Sequence, residues 1–162
     1  MRHFKADADY GTAGSVRLAT EGLHERLLII SGDILTDFDL SAAIRFHEER
    51  KAIATLVLTH AKNPLQFGVV ITQEDGKITR FLEKPSWGEV FSDTINTGIY
   101  IIEPEAIDLV PVREEFDFSK DLFPILLRQD LGLYGYTASG YWRDIGNLHE
   151  YQEAHIDALG GG

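Results

Sequence analysis

Several short stretches of this sequence hold groups that could do chemistry. Asp33 follows the apolar run Leu27, Leu28, Ile29 and Ile30 after Ser31 and Gly32. A carboxylate at the exit of a buried strand can bind Mg²⁺, a hard cation that takes oxygen ligands and keeps waters to exchange for phosphate. The same Asp could simply cap a local amide in a turn. Asp144, within Trp142-Arg143-Asp144-Ile145-Gly146, is a second carboxylate that could converge on such a metal, or it shares a structural turn with Arg143. Glu83-Lys84-Pro85 sets a compact positive charge suited to phosphate beside a carboxylate that accepts sugar hydroxyl hydrogens. Exposed pairs of that kind are also common on surfaces.

Asn96-Thr97-Gly98-Ile99-Tyr100 carries a polar amide and a glycine into a strand. An amide that both donates and accepts suits a pair of sugar hydroxyls, while Gly98 permits close backbone approach or marks a bulge. Gly11-Thr12-Ala13-Gly14 could present backbone amides to a nucleotide, although G-x-x-G alone is weakly specific. Asp37-Phe38-Asp39 is a D-x-D triplet of the kind that holds a metal in some glycosyltransferases; helix capping accounts for Asp39 as well.

Composition narrows these options. The 162 residues include no cysteine, which removes disulfides, thiolate metal sites and a cysteine nucleophile. The six histidines show no metal-ligand spacing, and neither H-E-x-x-H nor G-x-S-x-G occurs. Fifteen basic against 26 acidic residues give a net charge of −11, which disfavours nucleic acid and anionic membrane as partners. A chain this acidic needs a local device to hold phosphorylated ligands, and a divalent cation supplies one. The N-terminal stretch MRHFKADADY lacks the apolar core of a signal peptide, and no apolar run approaches the roughly 20 residues of a membrane span. A cytoplasmic protein is the expectation.

The elements that must position these groups alternate. Strands are expected at Arg2 to Ala6, Arg26 to Ser31, Ile53 to Thr59, Thr97 to Ile102 and Leu131 to Thr137. Phe67 to Thr72 and Lys77 to Glu83 flank Asp75-Gly76, a hairpin turn signal. Helices are expected at Ser15 to Leu23, after Asp39, from Pro104, over Ser119 to Arg128, and over Asn147 to Leu159 with Asn147 as cap and Glu150 three residues on. Asp9 to Gly14 reads as a loop, and the acidic stretch Glu103 to Asp121 as a solvated face or short insertion. The fold class is α/β, with a mixed, mainly parallel Rossmann-like sheet flanked by helices. Ligands of such sheets sit beyond the carboxyl ends of the parallel strands.

Taken in order, Gly11-Thr12-Ala13-Gly14, Ser31-Gly32-Asp33, Phe67-Gly68-Val69-Val70, Phe81-Leu82-Glu83-Lys84-Pro85, Asn96-Thr97-Gly98-Ile99-Tyr100 and Tyr141-Trp142-Arg143-Asp144-Ile145-Gly146 resemble the nucleotidyltransferases that activate sugar 1-phosphates. The flavour is most similar to mannose-1-phosphate guanylyltransferases, with glucose-1-phosphate thymidylyl- and uridylyltransferases as near alternatives. The resemblance implies transfer of a nucleotidyl group from a nucleoside triphosphate, GTP in the first reading, to a sugar 1-phosphate, with release of pyrophosphate. It assigns Asp33 and Asp144 to Mg²⁺, Lys84 to the sugar phosphate, and Gly68, Glu83, Asn96 and Thr97 to the sugar pocket. Gly11, Thr12, Ala13 and Gly14 would lie against the base and ribose.

The family's glycine-rich triphosphate loop has no counterpart among the 15 glycines here, none of which forms G-x-G-x-x-G or G-x-x-x-x-G-K-[ST]. Residues 1–159 are therefore expected to form a partial catalytic domain, weakly active or inactive alone, with 160–162 as a flexible tail. A non-catalytic binding or regulatory module, which could self-associate through exposed strand edges, is the alternative.

Overall fold

In the computed structural model the apolar run Arg26–Ser31 forms strand β2, flanked on both edges by other strands. The structure describes residues 2–4, 10–31, 34–62, 64, 68–82, 93–144 and 154–159, the side chains of 2–4, 144 and 154–159 excepted. In chain order the elements are β1 (Arg2–Phe4), α1 (Gly11–Ala19), β2, β3 (Ile34–Thr36), α2 (Leu40–Arg50), β4 (Ala54–His60), β5 (Val69–Thr72), β6 (Ile78–Leu82) and β7 (Thr94–Ile102). After these come α3 (Pro104–Ile107), a π-helical turn (Phe118–Leu122), α4 (Phe123–Arg128), β8 (Leu133–Thr137), β9 (Trp142–Asp144) and β10 (Ala154–Leu159). Among the described residues no helix is long and apolar enough to cross a membrane.

The main sheet runs β1-β10-β2-β7-β4-β8, and the β5–β6 hairpin joins β7 where Val69 pairs with Ile95. Strands β2, β4 and β8 share one direction, and β7 is threaded between β2 and β4 in the opposite one. The architecture is the expected mixed α/β sheet with helices on its faces. The expected predominance of parallel pairing is not what the ladders show: of those described, only β4–β8 is parallel. A continuous apolar run reports burial on both faces and says nothing about the direction of the neighbours.

Alternation along each strand splits the core into two layers. Leu27, Ile29, Leu56, Leu58, Tyr100 and Ile102 face one way and meet Phe118, Leu122 and Phe123. Leu28, Val57, Ile99 and Ile101 face the other way and meet Phe38 and Ala43 beside α2. Each fully buried side chain of this size is worth about 1.5–3 kcal/mol, so the central strands are held from both sides.

The structure differs from the sequence reading at three local points. Gly11–Gly14 is the first turn of α1 rather than a loop. What permits it is contact with the segment ending at Phe116: a Cβ at Gly11 would lie 2.6 Å from Phe116 O, and one at Gly14 2.6 Å from Glu114 O. The expected closing helix over Asn147 to Leu159 is a strand where it is described, since β10 pairs with β2 from Ala154↔Ser31 to Leu159↔Arg26. Ala154, Ile156 and Ala158 alternate with His155 and Asp157, a period-two pattern, and ladder bonds to the β2 edge override the helix signal. Residues 147–153 lie outside the described set. Third, β3 and β9 pair as a separate two-stranded ribbon, each too short to leave a periodic signal.

Other expectations hold. Asp39 caps α2 by accepting a bond from Ala42 N (3.1 Å). The turn at Asp75-Gly76, with Gly76 at φ +92°, closes the β5–β6 hairpin. Pro104 opens α3. Pro124 sits in the first turn of α4, after the π-helical turn, where its missing N–H leaves no helical bond unmade.

Candidate functional site

The carboxyl end of the sheet is shaped by a bulge in β7. Val57 pairs with Ile99 but Leu58 pairs with Asn96, so Thr97 and Gly98 are extra residues on β7. Thr97 Oγ1 donates to Val57 O (2.6 Å), and Gly98 N donates to Asn96 Oδ1 (2.9 Å). Gly98 has φ +85°, and a Cβ there would sit 3.6 Å from Ser31 Cβ and Ile34 Cγ1, an ordinary contact distance. Backbone conformation rather than crowding therefore requires this glycine. The bulge lies against the end of β2, next to Asp33 in sequence.

Asn96 is the hub of this bulge. Its N–H donates to Gly68 O (3.1 Å), and its Nδ2 donates to Tyr100 Oη (3.0 Å) and Ser119 Oγ (3.3 Å). Both side-chain N–H groups are thus engaged, and among the described residues Oδ1 accepts only from Gly98, which leaves one lone pair. Of the expected sugar-pocket residues, Gly68, Asn96 and Thr97 are brought together. Thr97 is an exception in kind: its side chain is buried and turned to Val57 O, so it has no side-chain group to offer a ligand.

The β3–β9 ribbon lies beside the bulge. It pairs Ile34 with Asp144, Leu35 with Arg143 and Thr36 with Trp142. Trp142 Nε1 donates to Thr97 O (3.0 Å) and so ties β9 to β7. At the other end, Thr36 Oγ1 and Asp37 N both donate to Tyr141 O (2.6 and 3.2 Å), and Tyr141 N donates to Asp37 Oδ1 (2.6 Å). The carboxylates of the D-x-D triplet are thus engaged with backbone amides, Asp37 with Tyr141 and Asp39 with Ala42.

The Gly11–Gly14 segment connects to the same network from the other side. Thr12 N donates to Asp117 Oδ1 (2.9 Å), Gly14 N donates to Phe116 O (2.9 Å), and Phe118 N donates to Thr12 Oγ1 (3.0 Å). Phe118 directly precedes Ser119, the partner of Asn96. Beneath them Tyr100, Phe118 and Phe123 form an aromatic cluster with ring centroids 5.0–5.8 Å apart. The 114–119 segment is thus the bridge between two expected site regions some 80 residues apart in sequence. Ser119 and Asp117 left no signal of this in the sequence; Trp142 stood inside a motif, but its bond to Thr97 could not be read from it.

Asp33, Glu83 and Lys84 lie outside the described residues, as does the side chain of Asp144. Among the described residues no cluster of three or more His, Asp or Glu could hold a metal ion. Asp33 and Asp144 are the carboxylates the sequence offers for a cation, and carboxylate with substrate phosphate is a ligand set that suits Mg²⁺.

The opposite, amino end holds a cleft of about 420 Å³ lined by Arg26, His47, Glu48, Lys51, Ile53 and Glu103 among others. Glu103 accepts from Arg26 Nε (2.6 Å), and its carboxylate meets His47 Nε2 at 3.2 Å. His47 Nδ1 lies 2.6 Å from Thr55 Oγ1, and Arg26 Nη1 donates to Glu48 (2.9 Å). Burial pushes the His47 pKa down, against the pull of Glu103, while the bond to Glu103 raises that of Arg26. A neutral His47 with its proton on Nε2 satisfies both neighbours at once. Glu103 is therefore part of a partly buried network and departs from the solvated face expected for the acidic stretch.

A sequence profile of the family described as nucleotidyl transferase matches residues 3–160. The chain is 40% identical over 149 residues to a UTP–glucose-1-phosphate uridylyltransferase of Synechocystis sp., a match covering 89% of this chain and 38% of that protein. It is 33% identical over 153 residues to a mannose-1-phosphate guanylyltransferase of Mycobacterium tuberculosis, covering 93% of this chain and 42% of that one. The fold superposes on HddC from Yersinia pseudotuberculosis, solved complexed with GMP-PN, with a TM-score of 0.72 at 20% identity over 87% of this chain and 59% of that one. The chain spans about two fifths of the length of the curated relatives it matches.

Proposed function

The chain belongs to the nucleotidyl transferase family, and from that premise we propose that it carries the sugar-phosphate and metal half of a site that joins a nucleoside triphosphate to a sugar 1-phosphate. A sugar-phosphate oxygen attacks the α-phosphorus in line, the new O–P bond forms, and pyrophosphate leaves with the electron pair of the bond that breaks. Such transfers ask the protein chiefly for positioning and charge stabilisation.

The observation that carries this reading is the β3–β9 ladder. It sets Asp144 opposite Ile34, the residue after Asp33, beside the β7 bulge at the end of β2. In this proposal Asp33 and Asp144 hold Mg²⁺, and Lys84 meets the sugar phosphate. Glu83 accepts sugar hydroxyls, and Asn96 offers them the free lone pair of Oδ1. Gly68 and Thr97 line the pocket with backbone. Gly11, Thr12, Ala13 and Gly14 lie against the base and ribose by surface contact, since the amides of Thr12 and Gly14 are already engaged. When bound, the cation offsets the charge of the approaching phosphates in a strongly acidic chain.

GTP and mannose 1-phosphate are the first reading of the substrates. Glucose 1-phosphate with a uridylyl or thymidylyl donor is the second, favoured by the 40% identity to the Synechocystis uridylyltransferase. Calorimetric titration of each sugar 1-phosphate, with and without Mg²⁺, tests the proposal. Mg²⁺-dependent binding of one sugar phosphate is expected, and on addition of a nucleoside triphosphate slow or no release of pyrophosphate. No binding at millimolar ligand by the folded chain contradicts it.

A further inference from the structure

We propose that Asp37 is a positioning residue for the metal site. Its carboxylate sets the Gly140–Tyr141 turn, and that turn fixes the register of β9, the strand that carries Asp144. The inference rests on the assignment of Asp144 made above.

Asp37 is exposed, and capping of α2 falls to Asp39, so neither burial nor helix formation explains its geometry. Its Oδ1 accepts the N–H of a residue 104 positions away, Tyr141. Its own N–H returns a bond to Tyr141 O, which Thr36 Oγ1 shares. Tyr141 immediately precedes β9. Gly140 has φ +130°, and a Cβ there would press onto Asp37 Oδ1, so a glycine is what lets the carboxylate reach the turn.

The register matters because the ribbon is only three pairs long. Two-stranded ribbons of this size are marginal alone. A slip of one residue would turn every side chain of β9 to the other face and exchange Asp144 with a neighbour. Side-chain bonds oppose that slip. Trp142 Nε1 grips Thr97 O, while Thr36 Oγ1 and the Asp37 carboxylate grip Tyr141 O and Tyr141 N. Those at Tyr141 precede the strand and start its count, and of the two the Asp37 carboxylate holds the amide.

Mn²⁺ binding measured by electron paramagnetic resonance, in the presence of mannose 1-phosphate or glucose 1-phosphate, tests this on the chain as it stands. Asp37→Ala is expected to weaken Mn²⁺ binding about tenfold or more, as loss of outer-sphere support does at metal sites. Asp37→Asn, which keeps the Oδ1 acceptor, is expected to stay within about twofold of the unaltered chain. Gly140→Ala, which displaces the same oxygen from the partner side, should reproduce the loss and carries the decision if Asp37→Ala does not fold. Circular dichroism and the thermal midpoint identify the folded fraction. A midpoint drop with unchanged Mn²⁺ affinity in both Asp37→Ala and Gly140→Ala overturns the proposal, as does an Asp37→Asn loss equal to that of Asp37→Ala. Asp144→Asn separates the two levels: if it binds Mn²⁺ normally, or if the unaltered chain binds none, the parent assignment fails and this one with it. If Asp144→Asn loses binding and Asp37→Ala does not, this inference alone fails.

Discussion

The two ends of the sheet carry polar clusters of opposite character. At the amino end Arg26, Glu48, Glu103, His47 and Thr55 satisfy one another around the cleft. At the carboxyl end the groups are a backbone bulge, an amide side chain with one lone pair to spare, and a short ribbon that sets Asp144 beside the exit of β2. The cleft at the amino end is therefore not the better candidate for chemistry. A network whose donors and acceptors already meet stabilises the fold, whereas strained or under-used groups on loops and bulges have capacity left for a ligand.

The comparison breaks most readily at the amino end. Glu103→Ala leaves Arg26 Nε and the buried His47 Nε2 without their shared acceptor, with Glu48 and Thr55 as the partners that remain, and is expected to cost about 2 kcal/mol from the desolvation penalty of unpaired polar groups. Chemical denaturation reads that loss, and sugar-phosphate affinity of the folded chain should not move. At the carboxyl end the pattern inverts. Gly98→Ala forces a side chain into φ +85° and is expected to cost about 1–2 kcal/mol in the same denaturation experiment. If the bulge lines the sugar-phosphate site as proposed, that variant should also lose sugar-phosphate affinity by about tenfold, a penalty of about 1.4 kcal/mol that calorimetry resolves.

Smaller effects sharpen the contrast. Trp142→Phe keeps the ring packing but removes the bond to Thr97 O, with an expected cost of about 1 kcal/mol. Its Mg²⁺ dependence should shift more than its thermal midpoint. The smallest effect is a pH slope at the amino end. Burial lowers the His47 pKa in the folded chain, against the pull of Glu103 and Glu48 and with a smaller push from Arg26. The unfolded chain therefore binds the proton first as pH falls below about 6.5. Stability is full above that pH and declines as pH falls toward the folded value. Denaturation curves between pH 5 and pH 8 should show this decline in the parent chain, and His47→Gln should flatten it.

Strands β2, β4 and β7, the hairpin and the cap at Asp39 were legible because apolar runs, Asp-Gly turns and capping residues act locally. Membership of the family was legible because its motifs keep their order along the whole chain. What escaped depended on distant partners. The helical first turn at Gly11–Gly14 exists because the segment ending at Phe116 closes over it, and β10 is a strand because the β2 edge was open to it. The β3–β9 ribbon left no trace, since a three-residue strand has no measurable period. For the site, sequence order named Gly68, Asn96 and Thr97, but it did not show that the Thr97 hydroxyl is buried against Val57 O or that Ser119 and Tyr100 already hold the Asn96 amide.

The central claim is that the ribbon makes Asp33 and Asp144 act as one metal-binding pair. A double-mutant cycle with Asp33→Asn and Asp144→Asn, read by calorimetry as Mg²⁺-dependent affinity for mannose 1-phosphate or glucose 1-phosphate, addresses it directly. Two ligands of one ion should be strongly non-additive, with a coupling energy of about 1 kcal/mol or more and a double variant little worse than either single one. Additive losses, or single variants that bind as the parent chain does, would contradict the pairing.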